Sequence, residues 1–519
     1  MLAVAGFSDF EANSKNAILM LYPHLKPKEE IFMNTIKNSV KSIITEEHSS
    51  QLHVWHQLGW KNVTLIYLDE HLDFQYISEN HITALKKCQT SAELAQLERP
   101  SHIFPDDKYS YGIENFLFAA HRLGIIENLI WVTLTPKNKL PNSIKYMRKL
   151  RGFLQQHNAF TVNDITNITI TEDIATATVF GLKITVCGYE DLKKLNLPEN
   201  TFIDIDIDYF IGLPEQYPLV DPENVFACLK SLPINYDTVT LTRSVSSGYM
   251  PLRYYFLADY LAALWQNDLR EIEHYRRLYA LDLQARNNNI EAAKAGCLEE
   301  IQIMPNCAAT YYLLSLCETE PQKSVNYELI AGKLCPSYCP SVLHSANAIL
   351  SRDLEYDKNT LSFLENKLML AEIDIEEKIL SHYTLGILYS LKSEKEESLK
   401  HYRYCQEIKP GNYPDLSLNI GCIFMKNKDY TKAISFFEQA LADESSKAEA
   451  HKMLGKIYLE QGQYQIAEEN LILAGEIVPT DELAMKLLAK LYKEIGDETS
   501  YNHQISKYYH MKFLSQKFT

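Results

Sequence analysis

No run of apolar residues in this chain is long enough to cross a bilayer, which excludes a membrane-spanning helix. A basic excess is missing too. Lys and Arg number 51 against 67 Asp and Glu, a net charge of -16, so gripping a phosphate backbone is not the main task and nucleic acid is not the expected partner. Paired cysteine spacing is absent: ten cysteines run from Cys88 to Cys422, and although Cys335 and Cys339 flank Pro-Ser-Tyr, no second pair completes a zinc site. They read as reduced thiols of a cytoplasmic protein. The first residues, Met1 to Phe7, lack the basic n-region and the length of a secretory signal. What remains is ordinary globular composition, 46% hydrophobic and 23% charged, over 519 residues, enough for two to four domains.

The first half alternates strand-like and helix-like stretches. Val63–Leu68, Leu129–Leu134, Lys183–Cys187 and Thr238–Leu241 are apolar and rich in β-formers, while Ile113 to Leu123 keeps helical spacing through Ile113, Phe116, Leu117 and Ala120. Such alternation predicts a mostly parallel sheet with helices on both faces and ligand sites at the carboxyl ends of its strands. The second half repeats instead. Leu385-Gly386-x-x-Tyr389, Ile420-Gly421-x-x-Phe424 and Leu454-Gly455-x-x-Tyr458 recur with Tyr430-x-x-Ala433 and Tyr464-x-x-Ala467; Gly421 to Gly455 and Ala433 to Ala467 both step 34 positions. Pro410 and Pro479 close two units. This is the tetratricopeptide period, in which small residues let paired helices approach and aromatics fill the groove. Weaker units run back to about Glu273, and Leu483 to Tyr508 would be the last helices. The expected division is an α/β domain over 1–268 and an all-α repeat solenoid over 269–519, with the boundary near Asn267 to Arg270. Stacked repeats offer a concave surface for a peptide or protein.

Two acidic clusters carry the chemistry. Thr201 to Phe210, read as a strand, puts Ile203, Ile205 and Ile207 on one face and Asp204, Asp206 and Asp208 on the other. Carboxylates crowded on a buried strand need cations or donors. The second cluster, Asp69-Glu70-His71-Leu72-Asp73, begins where Val63–Leu68 ends and places Asp69, His71 and Asp73 at period-two spacing. Carboxylates with imidazole suit a divalent first-row metal. Five carboxylates and one imidazole are too many for one ion and suitable for two.

Asp69-x-His71-x-Asp73 followed by an Asp-x-Asp strand resembles the arginase and deacetylase (ureohydrolase) superfamily. The wider text resembles its divergent branch, the peptide arginases. Matching features are Glu47-His48 with Trp55 downstream, Ile113-Glu114-Asn115-Phe116 before Ile130-Trp131-Val132, Asp204 to Phe210, and Ser244-x-x-Ser247-Gly248-Tyr249-x-Pro251. The resemblance covers about residues 40 to 265. It implies a three-layer α/β ureohydrolase-like fold and two manganese ions per chain. By the same resemblance Asp69 bridges both ions, His71 ligates one and Asp73 the other, and His48 supplies the isolated imidazole. Two of Asp204, Asp206 and Asp208 complete the set, either Asp204 with Asp206 or Asp206 with Asp208. The implied reaction is hydrolysis of an arginine side chain in a peptide or protein to ornithine and urea, a post-translational modification, with an Asp of the cluster (Asp73 or Asp69) moving the proton. Glu114 and Glu70 are candidates to meet the guanidinium. A clamp for the α-amino and α-carboxyl groups of free arginine is not recognisable. The competing expectations are another C–N hydrolase acting on guanidines or acylamines, and a non-catalytic repeat scaffold carrying a degenerate hydrolase fold.

Overall fold

The computed structural model describes residues 40–99, 109–134, 141–156, 167–171, 173–212, 217–234, 236–245, 249–339, 341–351, 354–370, 373, 375–408, 414–442 and 446–516. Met1–Phe7, Ser247, Gly248 and Pro410 of the motifs above lie outside the described residues. The strands are β1 (Lys41–Thr45), β2 (Val63–Leu68), β3 (Ile126–Val132), β4 (Thr169–Thr171), β5 (Ile174–Val179), β6 (Leu182–Cys187), β7 (Thr201–Asp206), β8 (Ile211–Gly212), β9 (Tyr217–Pro218) and β10 (Thr238–Thr242). Eight of them form a mostly parallel sheet, and β8 with β9 forms a small antiparallel pair.

The chain divides into two compact units, each discontinuous in sequence. One comprises residues up to His48, Ile203–Ser231 and Tyr236–Lys392; the other comprises Ser49–Phe202, Leu232–Asn235 and Ser393–Thr519. In the first, β10 pairs parallel with β1 on one side and β7 on the other, Thr240 lying opposite both Ile43 and Asp204. Both faces of this ladder are covered, so Ile203, Asp204, Ile205 and Asp206 are all buried whichever way they point. Asn267, at φ 58, ends the helix Leu257–Gln266, and Asp268 caps the next helix, Leu269–Arg286, by accepting from the Arg270 and Glu271 amides. The predicted boundary falls on this turn, yet the compact unit runs through it, carrying the helices from Leu269 to Leu391 with the three strands.

In the second unit β3 pairs parallel with β2 and β6, and β5 and β4 extend antiparallel from β6. Its core gathers Trp55, Leu65, Tyr67, Phe116, Trp131 and Ile184 with Leu150 and Leu154 of the helix Asn142–Gln156. Met485, Tyr508 and Met511 of the last two helices join the same cluster, and the buried Arg151 guanidinium donates to the Met511 carbonyl at 2.9 Å. The helix pairs Pro414–Lys426 with Tyr430–Ala440 and Lys447–Glu460 with Tyr464–Ile477 are the recurring units. Their small residues sit at the crossings: a Cβ on Gly421 would stand 2.7 Å from Phe437, and one on Gly455 2.6 Å from Leu471. The aromatic and leucine stripe is therefore interhelical packing.

One strand expectation is corrected. The Thr201–Phe210 stretch is a strand only to Asp206; Ile207–Phe210 is a 3-10 turn. Asp206 Oδ1 accepts from the Asp208 amide at 3.1 Å, and this cap ends the extended backbone. Asp208 thus lies beyond the strand and out of register with Asp204 and Asp206. β2 ends at Leu68, as the sequence predicts, and Asp69 to Asp73 follows as a turn in which the His71 amide donates to Asp69 Oδ1 at 2.6 Å. The predicted helix Ile113 to Leu123 is shorter, Phe116–Arg122.

Candidate functional site

In the first unit, β1 runs out into a 3-10 turn that begins at His48. The His48 ring is fully buried and held at both nitrogens: Nε2 lies 2.7 Å from Asp204 Oδ2 and Nδ1 lies 3.0 Å from Asp206 Oδ2. Thr240, next door on β10, donates to Asp204 Oδ1 at 2.5 Å, and Ser244 Oγ donates to Asp206 Oδ2 at 2.5 Å. Burial disfavours the charged imidazole, but the adjoining Asp204 and Asp206 charges outweigh it and His48 is held protonated well above its ordinary range. Burial pushes Asp204 upward, against its hydrogen bonds from His48 and Thr240. Two buried carboxylates thus draw a cation to themselves.

The loop after β10 is braced in the same unit. Arg243 makes a paired bridge to Asp259 at 2.8 and 2.9 Å, donates to the Tyr255 carbonyl at 2.8 Å, and stacks 4.0 Å over the Tyr255 ring. The Tyr255 hydroxyl donates to Glu46 at 2.6 Å. Ser244 follows with φ 49, its amide donating to the Glu46 carbonyl. His344 Nδ1 sits 2.8 Å from the Val245 carbonyl.

In the second unit, the turn after β2 gathers the other acids. The Tyr67 hydroxyl lies 2.5 Å from Asp69 Oδ2 and 3.1 Å from Asp73 Oδ2; with a single proton it donates to one at a time. Trp131 Nε1 donates to the Asp69 carbonyl at 2.9 Å, fixing the backbone at the strand end. Asp69 is buried, while the His71 side chain is 41% exposed with Nδ1 3.6 Å from Asp69 Oδ1. The Leu117 amide donates to the Asp73 carbonyl and the Gln75 amide to the Glu114 carbonyl, tying the turn to the helix Phe116–Arg122.

The two glutamates expected to meet a guanidinium are already paired. Glu114 forms an ion pair with Arg99, and Glu70 lies 2.6 Å from Lys149 Nζ. A substrate cation at either would have to displace a resident one. The reading of residues alone named Ser244 without its bond to Asp206, and missed Tyr67 and Thr240, hydroxyls that donate to the acids, and Glu98, which accepts from Ser49 at 2.5 Å and lies 3.8 Å from His53. Single hydroxyls inside apolar strands carry no spacing signal of their own.

Set beside known proteins, residues 424–491 match the tetratricopeptide repeat family. No curated protein matches the chain. Among solved structures, similarity is found to a MamA RS-1 double mutant (16% identity over 34% of this chain and 95% of that one, TM-score 0.30). PilF of Pseudomonas aeruginosa matches at 13% identity over 43% and 99%, TM-score 0.26. YrrB, described as a TPR protein with an unusual peptide-binding site, matches at 15% over 43% and 96%, TM-score 0.25. By the family match the chain carries tetratricopeptide repeats at 424–491; it also has a mostly parallel sheet, and among the described residues no helix is long and apolar enough to cross a membrane.

Proposed function

We propose that the chain is a binuclear metal-dependent hydrolase that converts arginine side chains within peptides or proteins to ornithine, releasing urea, and that its repeats hold the substrate polypeptide. The observation that carries this reading is the fully buried His48, wedged between Asp204 and Asp206. Carboxylates this deep, with one imidazole for company, are ligand chemistry rather than surface polarity. Each unit carries residues that suit a divalent ion: His48, Asp206 and Asp208 in the first, Asp69 and His71 in the second. The donor set, oxygen with imidazole nitrogen, fits manganese and gives no preference to a thiolate-seeking metal. Of the open alternatives, Asp206 with Asp208 is favoured, because the Asp204 oxygens are taken up by His48 and Thr240.

Divalent ions held there would lower the pKa of water toward neutrality. The chain's own residues do the rest. Asp204 and Thr240 fix the His48 ring, as outer hydrogen-bond partners fix a metal-bound imidazole. Ser244 orients Asp206, and Tyr67 orients Asp69 or Asp73. Asp73 Oδ2, partly exposed and sharing the Tyr67 proton, is the atom suited to hold a proton for the departing amine. The net charge of -16 favours a cationic substrate.

The test is to incubate the full chain with manganese and arginine-containing peptides, reading urea and the peptide mass. Conversion of arginine to ornithine that is lost in Asp206→Asn supports the reading. Metal uptake with no change in any arginine peptide, but turnover of small guanidines or acylamines, would redirect it to another C–N hydrolase. Absence of metal uptake would leave a repeat scaffold, the reading the repeat match favours by itself.

A further inference from the structure

The first unit holds a cavity of about 710 Å³ that shares no residue with the acidic clusters. Two helices form its sides, each through residues at helical spacing. Pro222–Lys230 brings Phe226, Ala227 and Lys230 to one face, and Leu269–Arg286 brings Leu269, Ile272 and Arg276. Trp265, near the end of Leu257–Gln266, and Val40, just before β1, add to the apolar lining. Leu269 is 73% exposed, so the cavity leaves apolar surface in water that an occupant would cover. This size, with a mostly apolar wall and a few polar groups, suits a small organic molecule.

The charges of the lining decide the sign of that molecule. Its acids already carry cations: Arg276 grips Glu223 with Nε at 2.7 Å and Nη2 at 3.1 Å, the Tyr260 hydroxyl also donates to Glu223, and Glu273 lies 3.6 Å from Arg276 and 3.2 Å from Arg277. Lys230 has no carboxylate partner among the described residues. Its ammonium rests over two rings, 4.7 Å from the centre of Tyr236 and 5.3 Å from that of Trp265. The Trp265 side chain is buried between the Phe226 and Tyr236 rings, and its Nε1 has no acceptor among the described residues. The last carbonyls of that helix, Ala263 and Leu264, already accept from the Asp268 and Asn267 amides. The cavity thus offers an uncommitted cation and an unsatisfied N–H donor, and no uncommitted acid. We propose that it binds a small amphipathic carboxylate, the apolar body lying between the two helices and the carboxylate meeting Lys230. This site owes nothing to the hydrolase reading.

The experiment titrates the full chain by calorimetry with decanoate, and with decylammonium as the cation of equal chain length. Decanoate should bind saturably at a single site, and decylammonium about ten-fold more weakly. Lys230→Met keeps the apolar stem and removes the charge, and should weaken decanoate about ten-fold. Ala227→Trp fills the space between the helices and should abolish decanoate binding. Both positions are exposed, so melting temperature and circular dichroism should hold in both variants. In the unmodified chain, the indole N–H resonance assigned by its loss in Trp265→Phe should move on adding decanoate. No saturable decanoate binding below about 1 mM, or equal binding of the two ligands, overturns the proposal on the unmodified chain alone. Decanoate binding that survives unchanged in Lys230→Met or Ala227→Trp overturns it as well.

Discussion

Ser244 is where the structure makes its sharpest demand. Its hydroxyl donates at 2.5 Å to Asp206 Oδ2, a carboxylate that is 97% buried and whose other partners are His48 Nδ1 and the Asp208 amide. It does so from a left-handed backbone, φ 49, which a Cβ resists. Ser244→Ala keeps the strained backbone and deletes a donor to a buried charge, at a cost of about 1.5 to 3 kcal/mol. Ser244→Gly loses the same donor but relieves about 1 kcal/mol of backbone strain, so it should be the milder change. Under the proposed metal reading the hydroxyl also tunes affinity, and both variants should weaken manganese binding by roughly 10- to 100-fold. Thermal melts with and without manganese give both numbers on one sample. If Ser244→Ala melts with the wild type, or Ser244→Gly melts below Ser244→Ala, the hydrogen bond and the strain argument are wrong. If stability falls as stated but manganese affinity does not move, the geometry stands and the metal reading fails.

Gly455→Ala places a Cβ 2.6 Å from Leu471 Cγ and should cost about 1 to 3 kcal/mol; Gly475→Ala, with nothing within 4 Å, should gain about 0.5 to 1 kcal/mol, so melts must shift in opposite directions. Tyr67→Phe leaves Asp69 and Asp73 without their shared proton donor and should lower urea release by about tenfold or more, with circular dichroism unchanged. Arg151→Met removes the donor to the buried Met511 carbonyl at a cost of about 1 to 3 kcal/mol, read as faster amide exchange over 498–516 than over 447–460.

How far the sequence spoke depends on what kind of order each segment has. Val63–Leu68 was legible to the residue because an apolar β-branched run bounded by polar turns has one reading. The repeats were legible because the 34-residue step is self-similar and Gly421 and Gly455 mark crossings that admit no side chain. Thr201 to Phe210 misled because alternation continues past the point where Asp206 turns from strand residue to cap, a choice made by one hydrogen bond to the Asp208 amide. The acids themselves were visible as motifs. What orients them was not: Thr240 and Tyr67 read as ordinary β-formers, and the engagement of Glu114 by Arg99 and of Glu70 by Lys149 depends on pairings 15 and 79 positions apart that no local pattern encodes.

The helices beyond position 269 are not an appendage tied on by a linker. In the first unit, residues from beyond position 269 reach the loop that carries Ser244: His344 holds the Val245 carbonyl, Ser337 Oγ lies 3.0 Å from the Tyr255 hydroxyl, and the Tyr338 ring packs at 5.2 Å against the ring on which Arg243 stacks. In the second, the last helix closes over Asn142–Gln156 through Arg151, Tyr508 and Met511. Each compact unit therefore combines strands of the sheet with helices from beyond position 269. A polypeptide that contacted the helix Val342–Ser351 would load an element hydrogen-bonded to the Ser244 loop, one residue from the hydroxyl that holds Asp206. That contact gives the fusion a physical purpose under the hydrolase reading.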